Sequence, residues 1–290
     1  MKTIVFKRVA LIASLCLLAW QAEAQGIVVN KTDGTKVYYK AGDVSSIGVY
    51  GYGEEPEPET PEGNTVTVNG VSFTMVTVEG GTFQMGSDDS DAYDDEKPVH
   101  QVKVSSFSIG QTEVTQELWE AVMGSNPSKW KGLKLPVEKV SWNDCQTFIT
   151  KLNQLTGKTF RLPTEAEWEF AARGGNSSKG YKYSGSDNIE DVAWYTSNSG
   201  SKTHEVATKQ PNELGLYDMS GNVREWCQDW YGSTYYSSSV VSNPTGPASG
   251  SNRVYRGGGW HDNARGCRVS NRGSNAPSGS GDCLGFRLAL

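Results

Sequence analysis

The stretch RLPTEAEWEFAARGG, residues 161–175, organises the reading of this chain. Pro163 and Thr164 open a short helix, Glu165 and Glu167 fall in its first turn where the helix dipole favours carboxylates, and Gly174-Gly175 stops it. Downstream come GLYDMSGNVREWCQDWYG (215–232), RGGGW (256–260) and GFR (285–287). Between the strand-like VYRGGGW and LGFRLAL lies a run of Asn, Gly, Ser, Asp and Arg with almost nothing to bury. Such text is better suited to presenting groups to a partner than to stabilising a fold.

The 290 residues suffice for one large or two modest domains with a substantial core. The net charge of −6 and the lack of a basic stripe exclude nucleic acid as a partner. Lys2, Lys7 and Arg8, an apolar run from Val9 to Trp20 and an Ala22-Glu23-Ala24 ending mark residues 1–24 as a secretory signal peptide. The chain is therefore expected to be exported, to the periplasm, the cell surface or the medium. No later segment approaches the ~20 apolar residues that span a bilayer.

Four cysteines remain after cleavage: Cys145, Cys227, Cys267 and Cys283. Export permits disulfides, and sequence alone does not choose among the three complete pairings. The first three lie in apolar or aromatic text and read as small buried residues. Cys283, at the end of the polar run, is expected to be the reactive thiol or to reach back to Cys267. No CxxC or Cys/His cluster has metal-site spacing.

Gly26 to Gly53 alternates apolar and polar residues around Asp33-Gly34, so residues 25–53 read as a small β unit. EEPEPETPEG, residues 54–63, is an extended Pro/Glu-rich linker, and the main domain occupies 64–290. Its opening predicts two strands with turns at Asn69-Gly70 and Gly80-Gly81. The carboxylates from Asp88 to Glu96 match no calcium-loop spacing and read as a solvated acidic loop, followed by a strand ending at Ile109. Thr112 is the expected N-cap of a helix carrying Val114, Leu118, Ala121 and Val122 at helical spacing, and a second helix runs through WNDCQTFITKLNQLTG to Gly157.

The ordered set RLPTEAEWE, GNVREW, RGGGW and GFR closely resembles the formylglycine-generating enzyme, or sulfatase-modifying factor, family over roughly Val66 to Leu290. The resemblance implies an α+β, C-type lectin-like fold with little regular secondary structure. Active members oxidise a sulfatase cysteine to formylglycine with molecular oxygen, using two copper-binding cysteines that follow a Gly-Gly-Ser step. Here that step falls on Gly257, Gly258 and Gly259, so the serine is replaced. The segment that should carry both cysteines, Trp260 to Gly266, has none, and Cys267 falls between the family's catalytic positions. The family's tryptophan after its Gly-Asn-small step is Arg224. Copper(I) on two thiolates is not replaced by His, Asp and Asn at arbitrary spacing, so neither copper nor oxidase activity is expected. His261 and Asp262 with His204 or His100 make no hydrolytic set, because no GxSxG nucleophile motif is present, and His261 reads as an exposed loop residue. The family's structural calcium site carries over onto Asp218 with the carbonyls of Gly221 and Val223, whose hard oxygens suit calcium; a turn or strand-end role for Asp218 is the other reading.

The segment 260–283 remains. Its positions 261–283 contain no Lys, Glu, Gln, Met or Trp, the five types unreachable when the first two bases of an asparagine codon are changed freely. This resembles the variable proteins of diversity-generating retroelements, several of which use the same fold and end in text like GFRLA. By that resemblance the diversified, ligand-binding positions are His261, Asp262, Asn263, Gly266, Asn271, Gly273, Ser274, Asn275, Ala276, Ser278, Gly279, Ser280, Gly281, Asp282 and Cys283. Arg265, Cys267, Arg268, Val269, Ser270, Arg272 and Pro277 are scaffold. Short polar residues and glycines on fixed strands are the adaptable part of antibody-type surfaces, although the run holds no aromatic anchor. The expected role is non-catalytic binding of an extracellular protein or glycan; the alternatives are a formylglycine-generating oxidase and an undiversified family member.

Overall fold

The computed structural model describes residues 64–238 and 240–290, together with the backbone of four short upstream strands. The chain divides into two compact units, Met1–Glu59 and Thr60–Leu290. In the first, β1 (Lys2–Val5) pairs parallel with β4 (Val44–Gly48), and β2 (Ile27–Asn30) pairs antiparallel with β3 (Lys36–Tyr39), Ile27 opposite Tyr39. The expected turn at Asp33-Gly34, the expected signal-peptide cleavage site and the expected linker lie outside the described residues. No helix among the described residues is long and apolar enough to cross a membrane.

The second unit is α+β. Its opening holds three strands where two were expected: β5 (Asn64–Val68), β6 (Val71–Val78) and β7 (Gly81–Met85). Asn69 and Gly70 have φ of 48° and 83°, the pair of left-handed residues that a tight hairpin turn requires. Gly80 marks a change of sheet, not a hairpin: β6 continues the β5-β6-β9 sheet with β9 (Phe107–Gly110), whereas β7 pairs with β8 (His100–Val104).

Helix α1 is Gln116–Met123, and its N-cap is Thr115, whose hydroxyl accepts from Leu118 N at 3.2 Å. Thr112 is not the cap because the chain there is still extended: Val114 donates its N–H to Phe286 O at 2.9 Å and accepts from Val137 N at 2.8 Å. Helix α2 (Trp142–Thr156) has a Ser141/Asp144 capping box and ends on Gly157 at φ 68°. Helix α3 (Glu165–Ala172) starts after Thr164 as expected, with a Thr164/Glu167 capping box in addition, and α4 is the single turn Ile189–Val192.

The last sheet has the order β12-β11-β10-β13, built from β10 (Arg224–Trp230), β11 (Arg253–Arg256), β12 (Arg272–Asn275) and β13 (Leu284–Gly285). Side chains of β10 alternate between the two main cores. Trp226 joins Trp119, Phe148 and Phe286, while Cys227 joins Trp168, Phe170 and Val254. The chain then closes on its own beginning, with Leu290 exchanging backbone hydrogen bonds with Ser108 at 2.9 and 3.0 Å and Ala289 with Arg161 at 2.8 and 2.9 Å. This closure places residues 257–283 as one excursion between two strands of a single sheet.

Candidate ligand-binding face

What holds that excursion is a set of buried ion pairs made by the motif residues. Glu165 receives Arg272 through two bonds of 2.6 and 2.8 Å, and Glu169 receives Arg173 at 2.6 Å and also Arg256. Trp168 donates its indole N–H to Glu225 at 2.6 Å, and the same carboxylate takes both arms of Arg287 at 2.6 Å each. Each sequence motif thus supplies one half of a pair whose other half lies in another motif. Glu165 is therefore more than a first-turn carboxylate at a helix dipole: it is 2% exposed and anchors the start of β12. The acidic loop is also not simply solvated, because its last residue, Glu96, is buried and forms two bonds of 2.7 and 2.6 Å with Arg268. Arg268 and Arg272 flank the polar run's midpoint and pin it from beneath.

The pinned residues and the presented residues fall in different places. Cys267, Arg268, Val269, Ser270 and Arg272 are buried, while Arg265 and Pro277 are partly exposed. Of the fifteen positions read as ligand-binding, His261, Asn263, Ser278 and Ser280 are exposed, and Asp262, Gly266, Asn271, Gly273, Ser274, Asn275, Ala276, Gly279, Gly281 and Asp282 are partly so. Cys283 departs from the expectation: it is buried, its carbonyl accepts from Arg224 N at 2.7 Å, and its thiol contributes to the floor and not to the face. Gly273 is accessible but tightly bounded, since a Cβ there would meet the Tyr255 ring at 2.2 Å, so any larger residue must displace that ring.

Two groups of positions result. His261, Asp262, Asn263, Gly266 and Asn271 line a cavity of about 460 Å³ with Tyr93, Thr196, Arg224, Tyr255 and Arg272. The rest follow β12 and the loop back to β13, where Lys129 Nζ meets Asp282 at 2.7 Å and Asn143 N donates to Pro277 O at 3.2 Å. Aromatic side chains, absent from the run itself, come from the framework. Tyr93 and Tyr255 line the cavity, and Trp130 stands edge-on to Trp260 at 5.1 Å, with His261 5.1 Å from Trp260. The sequence gives Trp130 no visible link to this face; only the fold of the 125–139 loop brings it there.

The histidines are separate. His204 stacks on Trp194 at 3.7 Å, His100 packs on Tyr236 at 4.6 Å, and His261 is the exposed loop residue expected. All four described cysteines are free and buried, so Cys267 and Cys283 do not pair. Burial pushes the Cys283 thiol up to about 11 and raises that of Cys267 as well, which leaves both protonated at neutral pH and poor as nucleophiles or soft metal ligands.

Residues 61–290 match the Sulfatase-modifying factor enzyme 1-like domain. The chain belongs to the sulfatase-modifying factor family. Chaperone protein LppX of Paenibacillus barcinonensis is 36% identical over 276 residues, which span 78% of this chain and 91% of that protein. The formylglycine-generating enzyme of Streptomyces coelicolor is 32% identical over 284 residues, 74% of this chain and 88% of the enzyme. The solved structure of Treponema denticola variable protein 1 is similar with a TM-score of 0.74 and 40% identity, covering 80% of this chain and 99% of that one. The α+β, C-type lectin-like fold of the sulfatase-modifying factor family is therefore the fold here, and the C-terminal resemblance to variable proteins has a counterpart in a solved structure.

Beside Gly257-Gly258-Gly259, this sulfatase-modifying factor domain has an ion pair, whose carboxylate also accepts from Gly259 N. Arg224, the residue in the family's tryptophan position, binds Asp262 through two bonds of 2.8 and 2.5 Å. The residues that the family resemblance implies for calcium are Asp218, Gly221 and Val223. Asp218 is buried at φ 58°, and its Oδ2 accepts from Ala207 N at 2.8 Å. Burial pushes its carboxyl up to about 6. Glu113 is raised well above the carboxylate range by burial and by the charges of Asp218 and Glu225. Gly221 N–H donates to Gly257 O at 2.9 Å and Val223 N–H to Glu113 at 3.0 Å, which turns both peptides into the same layer. No group of three or more His, Cys, Asp or Glu side chains among the described residues is arranged to hold a metal, so a cation here would rely on one carboxylate and backbone carbonyls. Glu113, Asp218 and Glu225 interact electrostatically with one another and with Arg287, their counter-charge, while a hard cation would be served by the Asp218 carboxylate and the carbonyl oxygens alone.

Proposed function

We propose that this chain is a non-catalytic, exported binding protein that uses the excursion 260–283 as a diversified surface for an extracellular protein or glycan. The observation that carries this reading is the division of the excursion. The positions that the resemblance marks as diversified are, Cys283 apart, exposed or partly exposed, while the central scaffold positions Cys267, Arg268, Val269, Ser270 and Arg272 are buried. Ordinary surface loops have no reason to divide in that way. The similarity to a variable protein over 80% of the chain supports the same reading.

The test is the gene's neighbourhood. A near-copy of the 260–283 coding segment bearing asparagine codons beside a reverse-transcriptase gene is the expected finding, and its absence removes diversification.

The 32% identity to a formylglycine-generating enzyme favours a second reading, sulfatase cysteine oxidation. Incubation with copper and a sulfatase cysteine peptide decides it. No aldehyde is expected, because neither Cys267 nor Cys283 offers an accessible thiolate.

We also propose a structural calcium ion on Asp218 and the carbonyls of Gly221 and Val223. It would neutralise buried carboxylate and stiffen the turn that leads into β10.

A further inference from the structure

Three donors converge on the Asp262 carboxylate. Arg224 Nε reaches Oδ2 at 2.8 Å, Arg224 Nη2 reaches Oδ1 at 2.5 Å, and the Gly259 amide reaches Oδ2 at 2.9 Å. A guanidinium fork reinforced by a backbone N–H is a built receptor for a carboxylate. The backbone that carries the donors is fixed independently of Asp262, and the Tyr255 ring stands beside the guanidinium. Arg224 is tied by its own amide to Cys283 O at 2.7 Å and lies 5.0 Å from the Tyr255 ring centre, and the residue after Gly259 is tied through Trp260 N to Asn222 O at 2.7 Å. The acceptor's backbone is also fixed without its side chain, since Asp262 N donates to Gly259 O at 2.9 Å and Asp262 O accepts from Thr196 N at 3.0 Å. Shortening residue 262 therefore removes the carboxylate and leaves the receptor standing. The site opens on the cavity of about 460 Å³ lined by Tyr255, His261, Asn263 and Asn271.

We propose that Arg224 and the Gly259 amide form a constant carboxylate-binding site that Asp262 occupies from within the chain. In versions of this protein with Gly, Ser or Asn at position 262, the site is open to a carboxylate of the ligand, an acidic side chain or a chain terminus. The receptor rests on the geometry above; only its use across versions rests on the diversified-surface reading. One residue then sets whether the face presents a filled, neutral pair or an available cation.

The test uses the recombinant chain and its Asp262→Gly variant, with acetate as the probe and chloride at equal ionic strength as the reference. Expected for Asp262→Gly is a saturable movement of the Gly259 amide and Arg224 Nε–H resonances with acetate. Its Tm should also rise with the logarithm of acetate concentration, as ligand linkage requires. The parent chain should show neither, and adding Arg224→Gln to Asp262→Gly should abolish both. A folded Asp262→Gly variant whose resonances ignore acetate, or a parent chain that responds equally, overturns the proposal. If Asp262→Gly does not fold, Asp262→Ser, which keeps a Cβ against Gly266, is read by the same two criteria. A locus without a template repeat would remove diversification and leave this site intact, so the two failures are separate.

Discussion

Arg272 is the position where the anchoring of the face is best measured. Its guanidinium makes two bonds of 2.6 and 2.8 Å to Glu165, a third of 2.8 Å to Asp95 O, and stacks 4.0 Å from the Tyr236 ring centre. Arg272→Met keeps the stem's contact with that ring but strands a carboxylate that is 2% exposed. The residual partners of Glu165 are Arg256 at 3.7 Å and the Tyr236 hydroxyl at 3.5 Å. Removing one member of a buried pair costs about 3–5 kcal/mol, and here the second-best cation limits the loss to the lower part of that range, about 3 kcal/mol. Adding Glu165→Gln removes the stranded charge, so the double variant should lose about 1–2 kcal/mol less than the sum of the two singles. Equilibrium urea unfolding at pH 7 measures both quantities. The sign of the pH dependence is fixed as well. Burial would raise the Glu165 carboxyl, but Arg272 and Arg256 outweigh it and hold it below its usual value. The stabilisation is thus present above the unfolded-state carboxylate range and is lost as the pH falls through the depressed folded value. A cost under about 1 kcal/mol for Arg272→Met, or strict additivity in the double variant, would refute the claim that this pair anchors β12.

Asp229 behaves in the opposite sense: burial and the charge of Glu165 push its carboxyl up to about 8, while its Oδ2 accepts from Glu165 N at 2.9 Å. The folded chain keeps a proton that the unfolded chain releases, so this group lowers stability as the pH rises from about 4 to about 8, by up to about 1.4 kcal/mol per pH unit. Asp229→Asn retains the acceptor and should gain Tm over the parent increasingly across that window in thermal scans; a pH-independent difference contradicts the assignment. Millimolar calcium should raise the Tm more than magnesium at equal ionic strength, and Asp218→Asn should remove the difference; equal effects of the two ions would exclude the site. Combined His261→Ala, Asn263→Ser, Ser278→Ala and Ser280→Ala should change stability by no more than about 0.5 kcal/mol per position, because these side chains are exposed. A larger loss in urea unfolding would mean that the face is part of the framework.

The fold was legible in the motif order, and the elements with strong local signals came out as read. Thr164 starts α3 and Gly157 ends α2 as expected, because the capping chemistry is contained within four residues. The misreadings share a physical cause. Thr112 lost the α1 cap to Thr115 because Val114 is held extended by Phe286 and Val137, residues far away in the sequence. Glu165 and Glu96 were read from local rules, a helix dipole and a charged loop, whereas their partners Arg272 and Arg268 lie 107 and 172 residues downstream. Cys283 was placed among presented residues by composition; its burial depends on how the loop returns to β13. The burial of Arg268 and Arg272 has one local signal in the polar run, the apolar Val269 between them.

The energetics of the excursion explain why arginines, and not apolar side chains, hold it. Ordering one residue's backbone costs about 1–2 kcal/mol, and the buried Val269 returns about 1.5–3 kcal/mol, with the small Cys267 and Cys283 the other buried apolar side chains, so apolar burial within the segment covers the ordering of only a few of its residues. Enlarging the apolar share would consume positions that face the ligand. Arginine avoids that conflict because its long side chain reaches from a thin loop to carboxylates already buried in constant elements, Glu96 after β7 and Glu165 and Glu169 on α3. A fork-to-carboxylate pair also fixes orientation as well as distance, which burial of an aliphatic side chain does not. The register of β12 against β11 places Arg256 opposite Arg272 and Arg253 opposite Asn275, and the buried Arg256 and Arg272 anchor one end of it on Glu169 and Glu165. Substitutions at the exposed His261, Asn263, Ser278 and Ser280 leave those pairs intact, whereas Gly273, packed against the Tyr255 ring, belongs to the framework as well as to the face.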